Sequence, residues 1–358
     1  MVAKKNYELH GIRSMEEKDN GFQMIVEGTD FYPISIQVKQ PLSNNYITIQ
    51  SHASSINKYY LGQEMMDTAI MAAYYNNLPS YRVQVQRMGK EIGVISTEEN
   101  EHNLSDRGEG ETQLKALLGA DIEVMVYHPL RGSFVAIPMG NREGSKIGSD
   151  RALIRKGHAF YQPIIELRPS PQESGIKLRD ELHTLKCRLE ENLGKRSLQI
   201  VSSPNPTGRF YLGGHIHVSN QKATFRKASQ LDALITLPLS AYYMKNGLDR
   251  RKIYGRLGSI RLNPYNGFEY RTLPSWYELI DDDNKVFFQW IEFIFLHPNL
   301  PHYKFTESVL RAYYHGDIAT LKIAVTQFFQ QLYPLLSSTE QKLINEWLNW
   351  LKMRERID

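Results

Sequence analysis

Residues Gly213–Ser219 read GGHIHVS. In a strand, successive side chains point to opposite faces, so His215, His217 and Ser219 fall on one side and Ile216 and Val218 on the other. Three further segments repeat the device. In GADIEVMVY (Gly119–Tyr127), Asp121 and Glu123 share a face opposite Ile122, Val124 and Val126. In IIELRP (Ile164–Pro169), Glu166 and Arg168 lie opposite Ile165 and Leu167, and in GFEYRTLP (Gly267–Pro274), Glu269 lies with Arg271. An antiparallel sheet with one wet face produces such alternation by itself. A generic wet face, however, carries Thr, Lys and Ser, whereas these positions hold acids, histidines and arginines. Acids are hard oxygen ligands for Mg²⁺ or Mn²⁺, and arginines hold phosphate oxygens and offset transferred charge. The set points to metal-assisted phosphoryl chemistry on a strand face.

The basic run DRRKIYGRLGSIR (Asp249–Arg261) immediately precedes the Glu269 strand. Its glycines allow backbone to approach an anion, and Arg256 or Arg261 can reach phosphate groups. Taken alone, the run also fits a basic surface loop. No GxxxxGK[ST] occurs in the chain, which excludes a P-loop NTPase.

In this order, the segments resemble the phage-type amidoligases (COOH-NH2 or carboxylate-amine ligases) of the glutamine synthetase fold superfamily. The likeness runs from about Gly119 to Trp276, with GGHIHVS and EYRTLPSW its most specific pieces. It implies an α+β fold whose catalytic domain is a curved antiparallel sheet with helices on its outer face, binding Mg-ATP on the concave side. By that resemblance, Asp121, Glu123, Glu166, His215 and Glu269 are the metal ligands. Glu123, Arg261, Glu269 and Arg271 are the catalytic residues, and Arg168, His217, Ser219 and Arg256 the nucleotide-side contacts. The implied reaction is phosphorylation of a carboxylate by ATP, followed by attack of an amine to give an amide, ADP and phosphate. Family members commonly read Asp-Pro-Glu-Phe where this chain has Asp121-Ile122-Glu123-Val124, so both carboxylates remain. Asp150 stands where an acid followed by glycine is common, and here Arg151 follows.

Outward from these motifs, the 358 residues divide into an N-terminal α+β module over 1–105, a catalytic domain over 112–280 and a helical C-terminal region over 281–358. The first boundary is the polar, acidic stretch between Ser96 and Thr112, with few apolar residues to bury. Strands are expected at Phe31–Val38 and Tyr81–Val85, and helices at Leu61–Tyr75 and Ser174–Leu193, the latter stopped by Gly194. Another helical pattern from Phe225 is perturbed at Pro238, and apolar stripes over Ile318–Leu332 and Leu343–Leu351 mark C-terminal helices.

With 43 basic and 39 acidic side chains, the formal charge of +4 demands no nucleic-acid partner. The single cysteine, Cys187, rules out an internal disulfide and, with no signal-like segment or long apolar span, fits a cytoplasmic protein. The acid and amine can be amino acids, peptides or cell-surface polymers, and peptide-modification partners such as ATP-grasp ligases or glutamine amidotransferases follow by resemblance only. Two rivals are a zinc-dependent hydrolase built on the His-x-His strand, drawing further ligands from His128, His158 or His183, and a non-catalytic nucleotide-binding protein of the same fold.

Overall fold

The computed structural model describes residues 5–50, 60–100, 115–139, 145–150, 152–156, 158–244, 246–281, 284–297 and 300–355. The part of the expected boundary that falls on 101–112 lies outside these residues, as does Arg151. The chain forms two compact units.

The first unit comprises Met1–Thr112 with Ala223–Arg226 and Lys304–Arg311. Its strands are β1 (Arg13–Ser14), β2 (Phe22–Thr29), β3 (Tyr32–Lys39), β4 (Ile47–Gln50), β5 (Ser80–Met88) and β6 (Glu91–Glu99), ordered β1-β6-β5-β2-β3-β4. All neighbours are antiparallel except the short β1–β6 pair. The helix Tyr60–Tyr75 buries Met65, Ala69, Ala72 and Ala73. Asp30, at φ 52° in the β2–β3 turn, accepts a hydrogen bond from Phe225 N at 2.8 Å, and the Phe225 ring meets Phe31 edge-on.

The second unit comprises Gln113–Lys222, Lys227–Tyr303 and Ala312–Asp358. Its strands are β7 (Leu118–His128), β8 (Ser133–Val135), β9 (Ile147–Ser149), β10 (Ile154–Lys156), β11 (Ala159–Tyr161), β12 (Ile164–Leu167), β13 (Gln199–Val201), β14 (Gly214–Val218), β15 (Ile260–Asn263) and β16 (Gly267–Tyr270). Eight of them make an antiparallel sheet along β15-β16-β14-β7-β12-β9, with β13 and β8 also paired to β7, and β10 and β11 form a separate hairpin. The alternation read in the sequence holds. Ile122, Val124, Ile165, Leu167, Ile216, Val218, Phe268 and Tyr270 are all buried, as expected of residues turned toward the packed face of a sheet.

The helix Gly175–Gly194 starts at Ser174, whose hydroxyl accepts from Lys177 N. The helix ends at Gly194, while the left-handed conformation falls on Ser197. The pattern from Phe225 runs as helix to Leu231, widens to a π-turn over Asp232–Thr236 and resumes over Leu237–Tyr242. Pro238 lacks the N–H that a continuous α-helix needs, and the local widening accommodates that loss. The C-terminal region is helical over Lys285–Leu296, Ile318–Leu332 and Ser338–Glu355. Trp347 and Trp350 are packing residues there, buried and stacked at 5.1 Å. No helix among the described residues is long and apolar enough to cross a membrane.

Candidate active site

The strand register assembles the site. On β7, Asp121 stands opposite His215 of β14 and Glu123 opposite Glu166 of β12. On β16, Glu269 stands opposite both His217 of β14 and Arg261 of β15. Directly paired residues share a sheet face, so these seven side chains gather on the face opposite the apolar one.

Two glycines permit the approach. A Cβ on Gly213 would lie 2.5 Å from His215 Nε2 and 3.3 Å from Arg250 Nη2, and its N–H donates to Glu123 Oε2 at 2.6 Å. A Cβ on Gly214 would collide with Trp276, whose indole N–H donates to Gly214 O at 2.9 Å.

Glu269, 1% exposed, is the hub. Its Oε2 accepts from Arg261 Nε at 2.7 Å. Its Oε1 lies 2.9 Å from His215 Nδ1 and 3.1 Å from Arg271 Nε. Neither approach has hydrogen-bond alignment, which leaves a buried carboxylate oxygen unsatisfied. Such an atom calls for a partner. Burial alone would raise this carboxyl, but the close approach of His215 and the positive charges of His217 and Arg261 outweigh it and hold the pKa down to about 2. Asp121 is also held low: burial opposes ionisation, and His217, 2.9 Å away, overcomes it. The same pair keeps His217 above its ordinary value despite burial, whereas burial pushes His215 down and keeps its ring neutral.

One ligand atom each from Asp121, His215 and Glu269 lies within 4.8 Å of the others. Among the described residues, no other three His, Cys, Asp or Glu donors come together in this way. Two ionised carboxylates, a neutral imidazole and an unsatisfied oxygen fit a divalent cation.

Glu123 and Glu166 form a second carboxylate pair outside that trio. Burial, reinforced by Asp150 and Glu166, raises Glu123 to about 8. Burial and the charge of Asp121 raise Glu166 to about 7, even though Arg168 Nε donates to it at 2.7 Å. Beside the pair opens a cavity of about 310 Å³ bordered by Glu123, Asp150, His215, Arg250 and Arg271.

Of the expected nucleotide-side residues, Ser219 Oγ accepts from Leu117 N at 3.3 Å, and Arg256 Nε donates to Lys252 O at 2.9 Å. The basic run also contributes Arg250, buried at the cavity wall and not singled out for a role by the sequence reading. Of the spare histidines, His128 ends β7, His158 is exposed and His183 sits beside Cys187, and none joins the trio.

The sheet thus carries an acid and imidazole cluster able to hold a divalent cation, with Arg261 and Arg271 beside it. The chain belongs to the phage phiEco32-like COOH-NH2 ligase type 2 family, whose model matches residues 118–357. The match extends beyond Trp276, where the resemblance read in the sequence stopped, through the C-terminal helices. Membership implies a carboxylate-amine ligase, an enzyme forming amide bonds. No curated protein matches the sequence. A solved structure titled "Apo GmaS without ligand" is similar over 96% of this chain and 98% of its own, at 10% identity and a TM-score of 0.33, too low to establish a shared fold.

Proposed function

We propose that the protein is an ATP-dependent carboxylate-amine ligase with a glutamine synthetase-like half-barrel, acting through an acyl phosphate. Mg²⁺ or Mn²⁺ would be held by Asp121, His215 and Glu269. The observation that carries this reading is the trio itself, with one ligand atom each from Asp121, His215 and buried Glu269 within 4.8 Å of the others. A bound ion would offset the repulsion between phosphate oxygens and an incoming carboxylate.

The chain's own residues supply the rest. Arg261 and Arg271, both on Glu269, orient the γ-phosphoryl group and stabilise oxygens that gain charge. The substrate carboxylate oxygen bonds to the γ-phosphorus while the bond to the bridging oxygen breaks and ADP leaves. The amine nitrogen then bonds to the acyl carbon, and phosphate departs. Glu123, its Oε2 fixed by Gly213 N–H, takes the proton the nitrogen must lose when it is in its ionised form, a fraction that grows as pH rises toward about 8. The acid and amine are drawn from amino acids, peptides or cell-surface polymers.

The test titrates metal-stripped protein with a nonhydrolysable ATP analogue by calorimetry, with Mg²⁺, with Zn²⁺ and with neither. Binding that requires Mg²⁺ or Mn²⁺ and is lost in Glu269→Gln is expected. Stoichiometric Zn²⁺ uptake without nucleotide binding would overturn the reading in favour of a hydrolase.

A further inference from the structure

Arg250 is 3% exposed and makes no ion pair among the described residues. Its Nη1 donates to Thr272 O at 2.8 Å and its Nη2 to Arg271 O at 3.4 Å, while Nε has no partner. Burial lowers its pKa to about 10, which leaves it cationic at neutral pH. A buried cation bonded only to neutral carbonyls retains most of its capacity for an anion. Its neighbour Arg251 differs: both ends of that guanidinium are spent on Tyr313 O and Met244 O, and it lies over the Tyr313 ring.

Arg250 also stands next to the metal-site histidine. Its Nη2 and His215 Nε2 flank the space that a Gly213 side chain would fill. Arg250, His215 and Gly213 also line the cavity, together with Arg209, Arg271, Glu123 and Asp150. The arginines attract a carboxylate, and the protonated Glu123 does not repel it at neutral pH. The remaining lining includes Tyr211, Ile253 and Tyr254. Tyr211 and Tyr254 have ring centroids 5.5 Å apart, and Ile253 and Tyr254 are more than half exposed. The size sits at the lower end of small-molecule pockets.

We propose that Arg250 is the carboxylate anchor of the acid substrate, and that the acid it selects carries an aliphatic or aromatic body seated against Tyr211, Ile253 and Tyr254. A peptide C-terminus with an apolar last residue has this chemistry. Arg250 holds the carboxylate beside His215. This inference rests on the ligase reading for its chemistry.

The probe is 3-phenylpropionate, with 3-phenylpropionamide as its uncharged counterpart, followed by saturation-transfer NMR on the full chain. The acid is expected to bind at least about tenfold more tightly than the amide. In Arg250→Met that preference should vanish while Mg²⁺-dependent nucleotide-analogue binding persists. Tyr254→Ala changes an exposed side chain and should fold normally. It should weaken the acid several-fold, which keeps the test decisive if Arg250→Met fails to fold.

Equal binding of acid and amide, no binding of the acid, or undiminished acid binding in either variant overturns the anchor. Loss of nucleotide binding in Arg250→Met with acid binding intact reassigns the arginine to phosphate and also overturns it. Mg²⁺-dependent nucleotide binding without acid selectivity leaves the ligase reading standing. Acid selectivity without nucleotide binding supports the anchor and counts against ATP.

Discussion

Glu123→Gln should stabilise the metal-free protein, and only above mildly acidic pH. The carboxyl is buried beside Asp150 and Glu166, which raises its pKa from the ordinary 4.5 to about 8. In the unfolded chain it ionises as pH rises through 4.5, whereas the folded chain keeps its proton until about 8. The folded state therefore binds more protons across that window, and stability falls as pH rises through it. At pH 7 the penalty is roughly 3 kcal/mol, at about 1.4 kcal/mol per tenfold change in protonation. Gln keeps the shape and the acceptor for Gly213 N–H but cannot ionise. Urea denaturation of both proteins, stripped of metal, at about pH 5, 7 and 8.5 measures the difference. It should be below roughly 1 kcal/mol at pH 5 and grow to roughly 3 kcal/mol at pH 7, or roughly 6–12 °C in melting temperature. A difference that does not change with pH, or a variant less stable than wild type at pH 7, would refute the reasoning.

Gly214→Ala drives a Cβ into Trp276 and Pro274 O and should cost about 1–3 kcal/mol; an unchanged thermal melt would contradict the close packing. Tyr270→Phe removes the hydroxyl that donates to buried Asp232 at 2.6 Å, with an expected loss of about 1–3 kcal/mol in urea titrations. Cys187→Ser, at an exposed helix position, should leave nucleotide-analogue binding and stability within about 0.5 kcal/mol of wild type; a larger loss in either would show that the thiol contributes.

The strands bearing the site were legible because acid, histidine and arginine positions alternate with apolar ones, and β7, β12, β14 and β16 fall where that alternation lies. Register was not legible. Nothing local in the sequence states that Glu123 faces Glu166 or that Asp121 faces His215, since pairing depends on residues far along the chain. The basic run is ambiguous for the same reason. Arg250 and Arg256 look alike in sequence, yet the short helix Leu248–Arg251 buries the first at the cavity, while the second bonds its own loop. Of the N-terminal unit, the helix and two strands were readable. The two-residue β1, parallel to a partner some eighty residues away, has no periodicity to read.

β7 lies at the centre of its sheet and pairs with four strands, which has a kinetic consequence. His217 reaches Asp121 across 96 residues, and Gly213 reaches Glu123 across 90. Such contacts carry a large loop-closure entropy and form late. The local β7–β8 hairpin can form early and holds Asp121 and Glu123, but neither His215 nor His217 of β14. During refolding, helical signal should therefore recover before the ability to capture a divalent ion. Ion capture thus reports the last strand pairings to close.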